Sequence, residues 1–229
     1  MSSMLHQISF GSFHFASRYE LVKAQLETLV QVFQFSNQNA CSALEGRCCV
    51  SRIRLNGVGP VVVKHYRRGG VLGHFIKASY LSIGKNRSQA EFEQMDAARN
   101  LGLSVPEPIM HAHRGGLVYQ AWIVTREVEQ SETIAQISRT APDRLAAAMP
   151  LIGRELSLLI DNLILHADFH PGNVLIDKDN KIFLIDFDKA GACRGDKEAL
   201  RTLYSRRWRR AVRKHGLPET LCDLDAFVQ

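Results

Sequence analysis

Three polar residues in the second half of the chain have the types and spacing that phosphoryl transfer requires. Asp168 is followed by Asn173 five residues later and by Asp186 eighteen residues later. In kinases one carboxylate orients the attacking hydroxyl and accepts its proton, while an amide oxygen and a second carboxylate bind magnesium. The order is typical of the H-x-D-x-x-x-x-N catalytic loop and its metal-binding Asp. The pattern predicts Asp168 as catalytic base and Asn173 and Asp186 as magnesium ligands.

A short β-hairpin is expected to bring these residues together. Two apolar runs, 174–176 and 181–185, are separated by a polar turn, which is typical of paired strands. Asp168 and Asn173 precede this hairpin and Asp186 follows it, so its two ends should meet at one site. Any one of the three could be an ordinary turn or capping residue. Their joint spacing around a hairpin favours a kinase-type site.

A lysine at the end of a β-branched run is the next candidate. Strands are predicted over 43–55 and 58–66, joined by an Asn-Gly turn, and Lys64 lies near the end of the second. The predicted helix 88–101 carries Glu91 on an otherwise apolar face, where a buried carboxylate needs a cation. We expect Lys64 to contact nucleotide phosphates and to pair with Glu91. A surface lysine and a solvated glutamate remain the alternatives.

Other nucleotide contacts are marked more weakly. Gly46 is a candidate for a phosphate-facing position, although one glycine does not establish a glycine-rich loop. Residues 117–128 are predicted to form a strand pair leading from one lobe to the next. The adenine would then bond to backbone groups near Glu127 and Val128. A long helix is predicted over 141–162, leading into the catalytic loop.

These elements predict an α+β chain with a two-lobed, protein-kinase-like fold. Residues 1–127 would form a small β-rich N-terminal lobe, and residues 128–229 a mainly helical C-terminal lobe with the catalytic loop and a basic terminal helix. ATP would bind between the two lobes. The length suits one compact domain or two small lobes.

Composition limits the other classes. Hydrophobic residues make up 45% of the 229 residues and charged residues 23%, as in ordinary globular proteins. No apolar run approaches the roughly 18–20 residues that span a bilayer, and the first fifteen residues lack a secretory signal pattern. Five cysteines without a C-x-x-C pair predict reduced thiols rather than disulfides or structural zinc. We therefore expect a cytoplasmic protein.

Positive charge is concentrated after the catalytic residues. The segment 194–214 contains nine Lys or Arg and two acidic residues, a net +7 against +6 for the whole chain. Such a patch attracts a polyanion or an anionic membrane surface. Trp208 among these arginines suits the headgroup level of a bilayer, with packing in the protein interior as the alternative. The predicted anion-binding residues are Arg206, Arg207, Arg209 and Arg210.

With these residues in order, the chain resembles the lipopolysaccharide kinases of Gram-negative bacteria, and among them those acting on 3-deoxy-D-manno-octulosonic acid (Kdo). The resemblance covers roughly residues 46–217 and includes His65–Gly70, Gly102–Pro108 and Leu203–Arg210. Two departures are Gly-Arg-Cys at 46–48, where the family usually has Gly-Arg-Gly, and His-Pro-Gly at 170–172, where it often has Asn-Ala-His.

The resemblance implies an ATP- and magnesium-dependent kinase that phosphorylates a hydroxyl of the Kdo sugar of Kdo-lipid A. It also implies a peripheral location on the cytoplasmic face of the inner membrane. The phosphates of the lipid A precursor and the Kdo carboxylate would suit the arginine cluster, because Arg binds both groups bidentately. Neither nucleic acid nor an obligate protein partner is expected.

Three alternatives stay open. His170-Pro171-Gly172-Asn173 is common in aminoglycoside- and choline-kinase-like enzymes, although their cationic acceptors favour an acidic cleft. A RIO-like protein kinase would also suit the short segment after Asp186. A non-catalytic binding module that retains the fold is the alternative of another class, for which the only argument is Cys48 at the phosphate loop.

Overall fold

The chain consists of a strand-rich unit and a mainly helical unit, which confirms the predicted α+β class. A computed structural model describes residues 4–35, 49–66, 80–81, 86–116 and 118–228. One unit contains residues 1–93 and 107–127, and the other contains residues 94–106 and 128–229.

An antiparallel sheet forms most of the first unit. Its strands are β1 (His6–Phe10), β2 (Phe13–Ser17), β3 (Cys49–Leu55), β4 (Gly59–His65), β5 (Tyr80–Leu81), β6 (Pro108–Gly115) and β7 (Val118–Arg126). The order is β1-β2-β6-β7-β4-β3, with β5 also paired to β7. The β3–β4 turn contains Gly57 and Gly59 at φ of +75° and +105°, values that only glycine adopts readily. This turn is the predicted Asn-Gly turn, and it fixes the register that carries Lys64.

Helix α1 (Lys23–Phe35) covers one face of this sheet. Leu26, Leu29 and Phe33 are buried, and the Phe33 ring stacks on Trp122 with centroids 4.6 Å apart. Burial of each such side chain contributes about 2 kcal/mol. The helical spacing predicted from residue 18 is correct, but the helix begins only at Lys23. Helix α2 (Arg87–Asn100) corresponds to the predicted helix that carries Glu91.

Several strands of this sheet were missed or misplaced by the sequence interpretation. The hairpin β1–β2 was not predicted, and the predicted strand pair at 117–128 is the single strand β7. The partner of β7 is β6, which the sequence interpretation did not identify, although Met110 and Ala112 alternate there with His111 and His113. Residues 43–48 of the predicted first strand lie outside the described residues.

The second unit is built from helices, one sheet of three short strands and one pair of short strands. Its helices are α3 (Ile134–Thr140), α4 (Pro142–Asp161) and α5 (Lys197–Lys214), with short 3-10 helices at Pro171–Asn173 and Glu219–Phe227. Its strands are β8 (Glu132–Thr133), β9 (Ile164–Leu165), β10 (Val174–Ile176), β11 (Ile182–Leu184) and β12 (Gly191–Ala192). Strand β10 pairs with β11 and β8, and β9 pairs with β12. Among the described residues no helix has the length and apolar character needed to span a membrane.

Helix α5 buries one side and exposes Arg206, Arg209, Arg210 and Arg213 on the other. Asp196 caps its first turn by accepting the N–H of Ala199 at 2.8 Å, and Tyr204 and Trp208 lie on its buried face. The Trp208 side chain is 1% exposed and donates its Nε1–H to the Leu221 carbonyl at 2.7 Å. Its predicted place at a bilayer surface is therefore wrong, and the alternative of interior packing is confirmed.

Candidate active site

The β10–β11 hairpin brings the ends of the predicted catalytic segment together. Val174 pairs with Leu184, and the Ile185 N–H donates to the Asn173 carbonyl at 3.0 Å. At the other end of the hairpin the turn contains Asn180 at φ +60°, a left-handed conformation that Asn tolerates. Asn173 and the residue before Asp186 are thus hydrogen-bonded neighbours, as the spacing in the sequence predicts.

Asn173 closes the predicted catalytic loop on Asp168. Its Nδ2 donates to the Asp168 carbonyl at 2.9 Å, and its backbone N–H donates to the His170 carbonyl at 2.9 Å. With the amide nitrogen engaged by the loop, Oδ1 is the atom of Asn173 that can serve as a metal ligand. An amide oxygen and a carboxylate are the hard ligands that magnesium prefers. Asn173 and Asp186 therefore suit the metal predicted for them.

Asp186 has a strained backbone. Its φ is +64°, in the left-handed region that few non-glycine residues occupy. Such strain persists only where the surroundings enforce it and is concentrated at functional sites. The preceding backbone is fixed on both sides, because Leu184 donates to the Ser104 carbonyl at 2.8 Å and Ile185 donates to Asn173.

His166 ties the catalytic loop to the segment before Asp186. Its side chain is 1% exposed, and Nε2 lies 3.0 Å from the Ile185 carbonyl, so Nε2 carries the proton. Burial lowers the pKa of His166 to about 4, which keeps the imidazole neutral at pH 7. Its role in the structure is to hold two backbone segments together.

Helix α5 supports the catalytic loop from beneath, a role that sequence interpretation did not assign. The Tyr204 hydroxyl donates to the Ile164 carbonyl and accepts the His166 N–H, both at 2.7 Å. Phe169 packs against Tyr204 and Trp208, with centroids 5.2 and 5.1 Å away. Burial raises the pKa of Tyr204, so its hydroxyl stays protonated. The apolar spacing of α5 was visible in the sequence, but the loop that it supports was not.

Asp168 lies exposed at the tip of this loop. Its side chain is 64% exposed, and its Oδ2 lies 3.6 Å from His170 Nε2. The adjacent imidazole is the main reason why the pKa of Asp168 is below its usual value, and burial opposes that shift. Asp168 is therefore an ionised acceptor at neutral pH, as a base that receives a hydroxyl proton must be.

Lys64 and Glu91 form a buried ion pair in the first unit. Lys64 Nζ lies 3.0 Å from both Glu91 carboxylate oxygens, and the two side chains are 13% and 3% exposed. The buried Tyr66 hydroxyl also donates to Glu91 Oε2. The Arg87 guanidinium lies 5.3 Å from the centre of the Tyr66 ring. Tyr66 was not identified from the sequence, because nothing in a strand pattern distinguishes a tyrosine that binds a carboxylate from a core tyrosine.

The remaining predicted nucleotide contacts are placed as follows. Glu127 donates its N–H to the Pro60 carbonyl at 3.1 Å and pairs with Arg52 at 3.3 Å, while the Val128 carbonyl accepts from Ser131 at 2.7 Å. The Glu127 N–H and the Val128 carbonyl thus form hydrogen bonds within the protein. Gly46 lies outside the described residues.

Three of the four predicted anion-binding arginines line one open groove on α5. The groove has a volume of about 940 Å³, and its basic lining comprises Arg201, Arg206, Arg209, Arg210, Arg213 and Lys214. Its acidic members are Glu198 and Asp225, and Asp225 pairs with Arg209 at 2.6 Å. Arg207 lies elsewhere, with Nη1 3.5 Å from the His166 carbonyl of the catalytic loop.

Comparison with known proteins gives the class of this protein. The sequence model of the lipopolysaccharide kinase (Kdo/WaaP) family matches residues 40–213, which is more than half of the chain. The chain therefore belongs to the lipopolysaccharide kinase (Kdo/WaaP) family.

Individual relatives carry a more specific name. A 3-deoxy-D-manno-octulosonic acid kinase of Vibrio vulnificus is 32% identical over 199 residues, covering 84% of this chain and 83% of the relative. A protein of the same name from Vibrio cholerae is 35% identical, covering 58% of each chain. This chain thus spans little more than half of the Vibrio cholerae relative. A solved structure, the MAP kinase LmaMPK10 of Leishmania major, aligns with a TM-score of 0.45 at 16% identity, covering 73% of this chain and 51% of that one.

Proposed function

We propose that this protein transfers the γ-phosphoryl group of ATP to a hydroxyl of the Kdo sugar of Kdo-lipid A. The observation that carries the proposal is the closed loop of Asp168 and Asn173, joined through the hairpin to the strained Asp186. Membership of the lipopolysaccharide kinase family and the names of the relatives support the acceptor.

Asp168 acts as the base in this proposal. Its ionised carboxylate orients the sugar hydroxyl and accepts its proton as the hydroxyl oxygen bonds to the γ-phosphorus and ADP leaves. The transition state is loose, so positioning and charge neutralisation account for most of the acceleration. The buried contacts of His166 and Tyr204 serve this chemistry by fixing the loop that presents Asp168.

Lys64 holds the phosphates of ATP, and Glu91 fixes the direction of the lysine ammonium group. Asn173 Oδ1 and the Asp186 carboxylate would hold magnesium, which would supply charge neutralisation at the phosphate oxygens. Gly46 and the backbone near Glu127 and Val128, apart from the Glu127 N–H and the Val128 carbonyl that bond within the protein, are the proposed contacts to the rest of the nucleotide.

The direct test is transfer of labelled γ-phosphate from Mg-ATP to Kdo-lipid A precursor in detergent micelles. Asp168→Asn protein serves as the blank, and a generic protein and an aminoglycoside serve as competing acceptors. Label on the glycolipid that disappears with the variant supports the proposal. Label only on protein or aminoglycoside would contradict the acceptor, and no ATP turnover at all would favour a non-catalytic binding module.

We further propose that the basic groove of α5 binds the anionic cytoplasmic surface of the inner membrane, where this lipid acceptor resides. Arg206, Arg210 and Arg213 are exposed, and no ion pair to them is found among the described residues. Like charges at i,i+4 destabilise a helix by about 0.2–0.5 kcal/mol per pair. An anionic surface would relieve that repulsion and would place the acceptor near the enzyme.

Sedimentation with phosphatidylcholine vesicles, with and without phosphatidylglycerol, tests this surface. Replacing Arg206, Arg210 and Arg213 by Gln should weaken binding to anionic vesicles roughly a hundredfold, since each charge contributes about 1 kcal/mol. A control variant loses the same charge at the exposed Lys23, Arg54 and Lys178. Equal loss in both variants, or none in the first, would contradict a specific role of the groove.

A further inference from the structure

His170 makes contacts on two sides of its ring. Its Nδ1 accepts the backbone N–H of Gly172 at 3.0 Å, which also caps the short 3-10 helix at Pro171–Asn173. Its Nε2 lies 3.6 Å from Oδ2 of Asp168. The imidazole therefore connects the loop backbone to the carboxylate that would act as base.

The contact with Gly172 determines which ring nitrogen carries the proton. A nitrogen that accepts a backbone N–H has its lone pair in that bond, so the proton of a neutral imidazole must be on the other nitrogen. That nitrogen is Nε2, which faces Asp168. His170 is therefore arranged as a hydrogen-bond donor to Asp168 without any need for the imidazole to be charged.

The two residues after His170 keep the ring in this orientation. Pro171 is buried and fixes the backbone where the 3-10 helix begins. A Cβ atom on Gly172 would lie 3.0 Å from His170 Cε1 and 3.1 Å from Nδ1, closer than side chains normally approach. Glycine at 172 thus allows the ring to lie flat against the backbone that it caps.

We propose that His170 is a positioning residue that holds the Asp168 carboxylate in the orientation required for proton acceptance. The proposal rests on the proposed role of Asp168 as base. A carboxylate that is 64% exposed would otherwise rotate about its Cβ–Cγ bond. With Oδ2 directed at the imidazole, Oδ1 has a defined direction toward the acceptor hydroxyl. Catalytic hydrogen bonds that are long without substrate commonly shorten in the reactive complex.

Two substitutions separate the contributions of the two ring nitrogens. His170→Asn places an acceptor near the position of Nδ1 and removes the donor at Nε2, whereas His170→Gln can return an N–H toward Asp168. We expect His170→Asn to lower kcat about tenfold with an unchanged KM for ATP, because only the orientation of the base is lost. His170→Gln should retain most of the activity.

A histidine outside the site provides the matched control. His215 is exposed at the end of α5, and His215→Asn should leave kcat and the melting temperature unchanged. An unchanged kcat for His170→Asn would overturn the proposal. Equal losses of kcat in His170→Asn and His170→Gln would also overturn it, because both variants would then act through the shape of the loop.

Gly172→Ala tests the same arrangement from the backbone side. The added methyl group should displace the His170 ring and lower kcat, and the effect should be largely absent in a His170→Asn background. Such non-additivity is expected only for residues that act through one contact. Additive losses would contradict the arrangement.

A spectroscopic measurement distinguishes failure of this inference from failure of the proposed function. Long-range 1H–15N spectra report the tautomer of His170 in protein that turns over no substrate. The expected result is a proton on Nε2 and a change in the Nε2 resonance in Asp168→Asn protein. A proton on Nδ1, or an Nε2 resonance that is unchanged in Asp168→Asn protein, would overturn the inference even if the protein is an active kinase. The expected spectra without transfer to Kdo-lipid A would contradict only the proposed function.

Discussion

Glu91 in the first unit and Asp168 in the second are carboxylates held in opposite ways. Glu91 is 3% exposed and has Lys64 and Tyr66 as partners, whereas Asp168 is 64% exposed and has His170 beside it. The folded state depends on the contacts of Glu91, because a buried charge without a partner strongly destabilises a protein. Because Asp168 is exposed, an acceptor can reach it, and its replacement should change the free energy of unfolding only slightly. The first unit thus contains a rigidly held cation, Lys64, and the second contains an accessible carboxylate, Asp168.

The largest expected effect separates activity from stability at Asp168. Asp168→Asn should reduce kcat by about three orders of magnitude, within the range of general-base contributions. The free energy of unfolding should change by less than about 1 kcal/mol, because the carboxylate is mostly solvated. Phosphate transfer and urea unfolding on the same preparations measure both quantities. Marked destabilisation would break the comparison, since Asp168 would then be a structural residue as well.

In contrast to Asp168→Asn, Lys64→Met should strongly lower the stability of the protein. It leaves Glu91 buried without its lysine and should cost about 3 kcal/mol of unfolding free energy. Lys23→Met is the matched control, because it breaks a 3.9 Å pair with Glu27 in which both side chains are largely exposed. The control should cost less than about 1 kcal/mol. The double variant Lys64→Met/Glu91→Leu also removes the buried carboxylate and should recover stability. If it is no more stable than Lys64→Met, the loss of unfolding free energy does not come from the buried charge.

Acid should destabilise the first unit through His111. Burial, with the neighbouring His113, lowers the pKa of His111 from 6.5 to about 4, so the unfolded chain binds a proton that the folded protein does not. The contribution of the neutral His111 to the free energy of unfolding is therefore fully present above pH about 6.5. It is lost as the pH falls toward 4, and the loss amounts to at most about 3 kcal/mol. Urea unfolding of wild-type and His111→Gln protein at pH 7 and pH 5 measures this difference. An equal dependence on pH in both proteins would assign the loss to other groups.

The smallest effect concerns the hydroxyl group that supports Glu91. Tyr66→Phe removes the hydrogen bond to the carboxylate and should cost about 2 kcal/mol of stability, because the acceptor is charged and buried. Tyr19→Phe is the control, since the half-buried Tyr19 hydroxyl lies 3.3 Å from Glu107 and accepts a hydrogen bond from Arg126 at 2.8 Å. Thermal unfolding of both variants measures the difference. Equal losses of stability in Tyr66→Phe and Tyr19→Phe would show that the greater burial of Tyr66 does not strengthen its hydrogen bond.

The sequence predicted local features more reliably than the partners of each element. Helices α2, α4 and α5 and the β10–β11 hairpin follow from periodicity and turn residues. The pairings of β2 with β6 and of β4 with β7 were not predicted, because strand partners distant in the chain leave no local pattern. Trp208 illustrates the same limit, since a tryptophan among arginines has the same local sequence whether it is buried or exposed.

The sequence by itself determined the spacing of Asp168, Asn173 and Asp186, because a hairpin of fixed length returns the chain to its start. It also determined that Lys64 and Glu91 stand where they can pair. Only the tertiary structure decided which groups fix these side chains: Tyr66 on Glu91 and His170 on Asp168. The reason is physical, since hydrogen bonds and burial depend on distances between side chains, whereas spacing and periodicity depend only on backbone geometry.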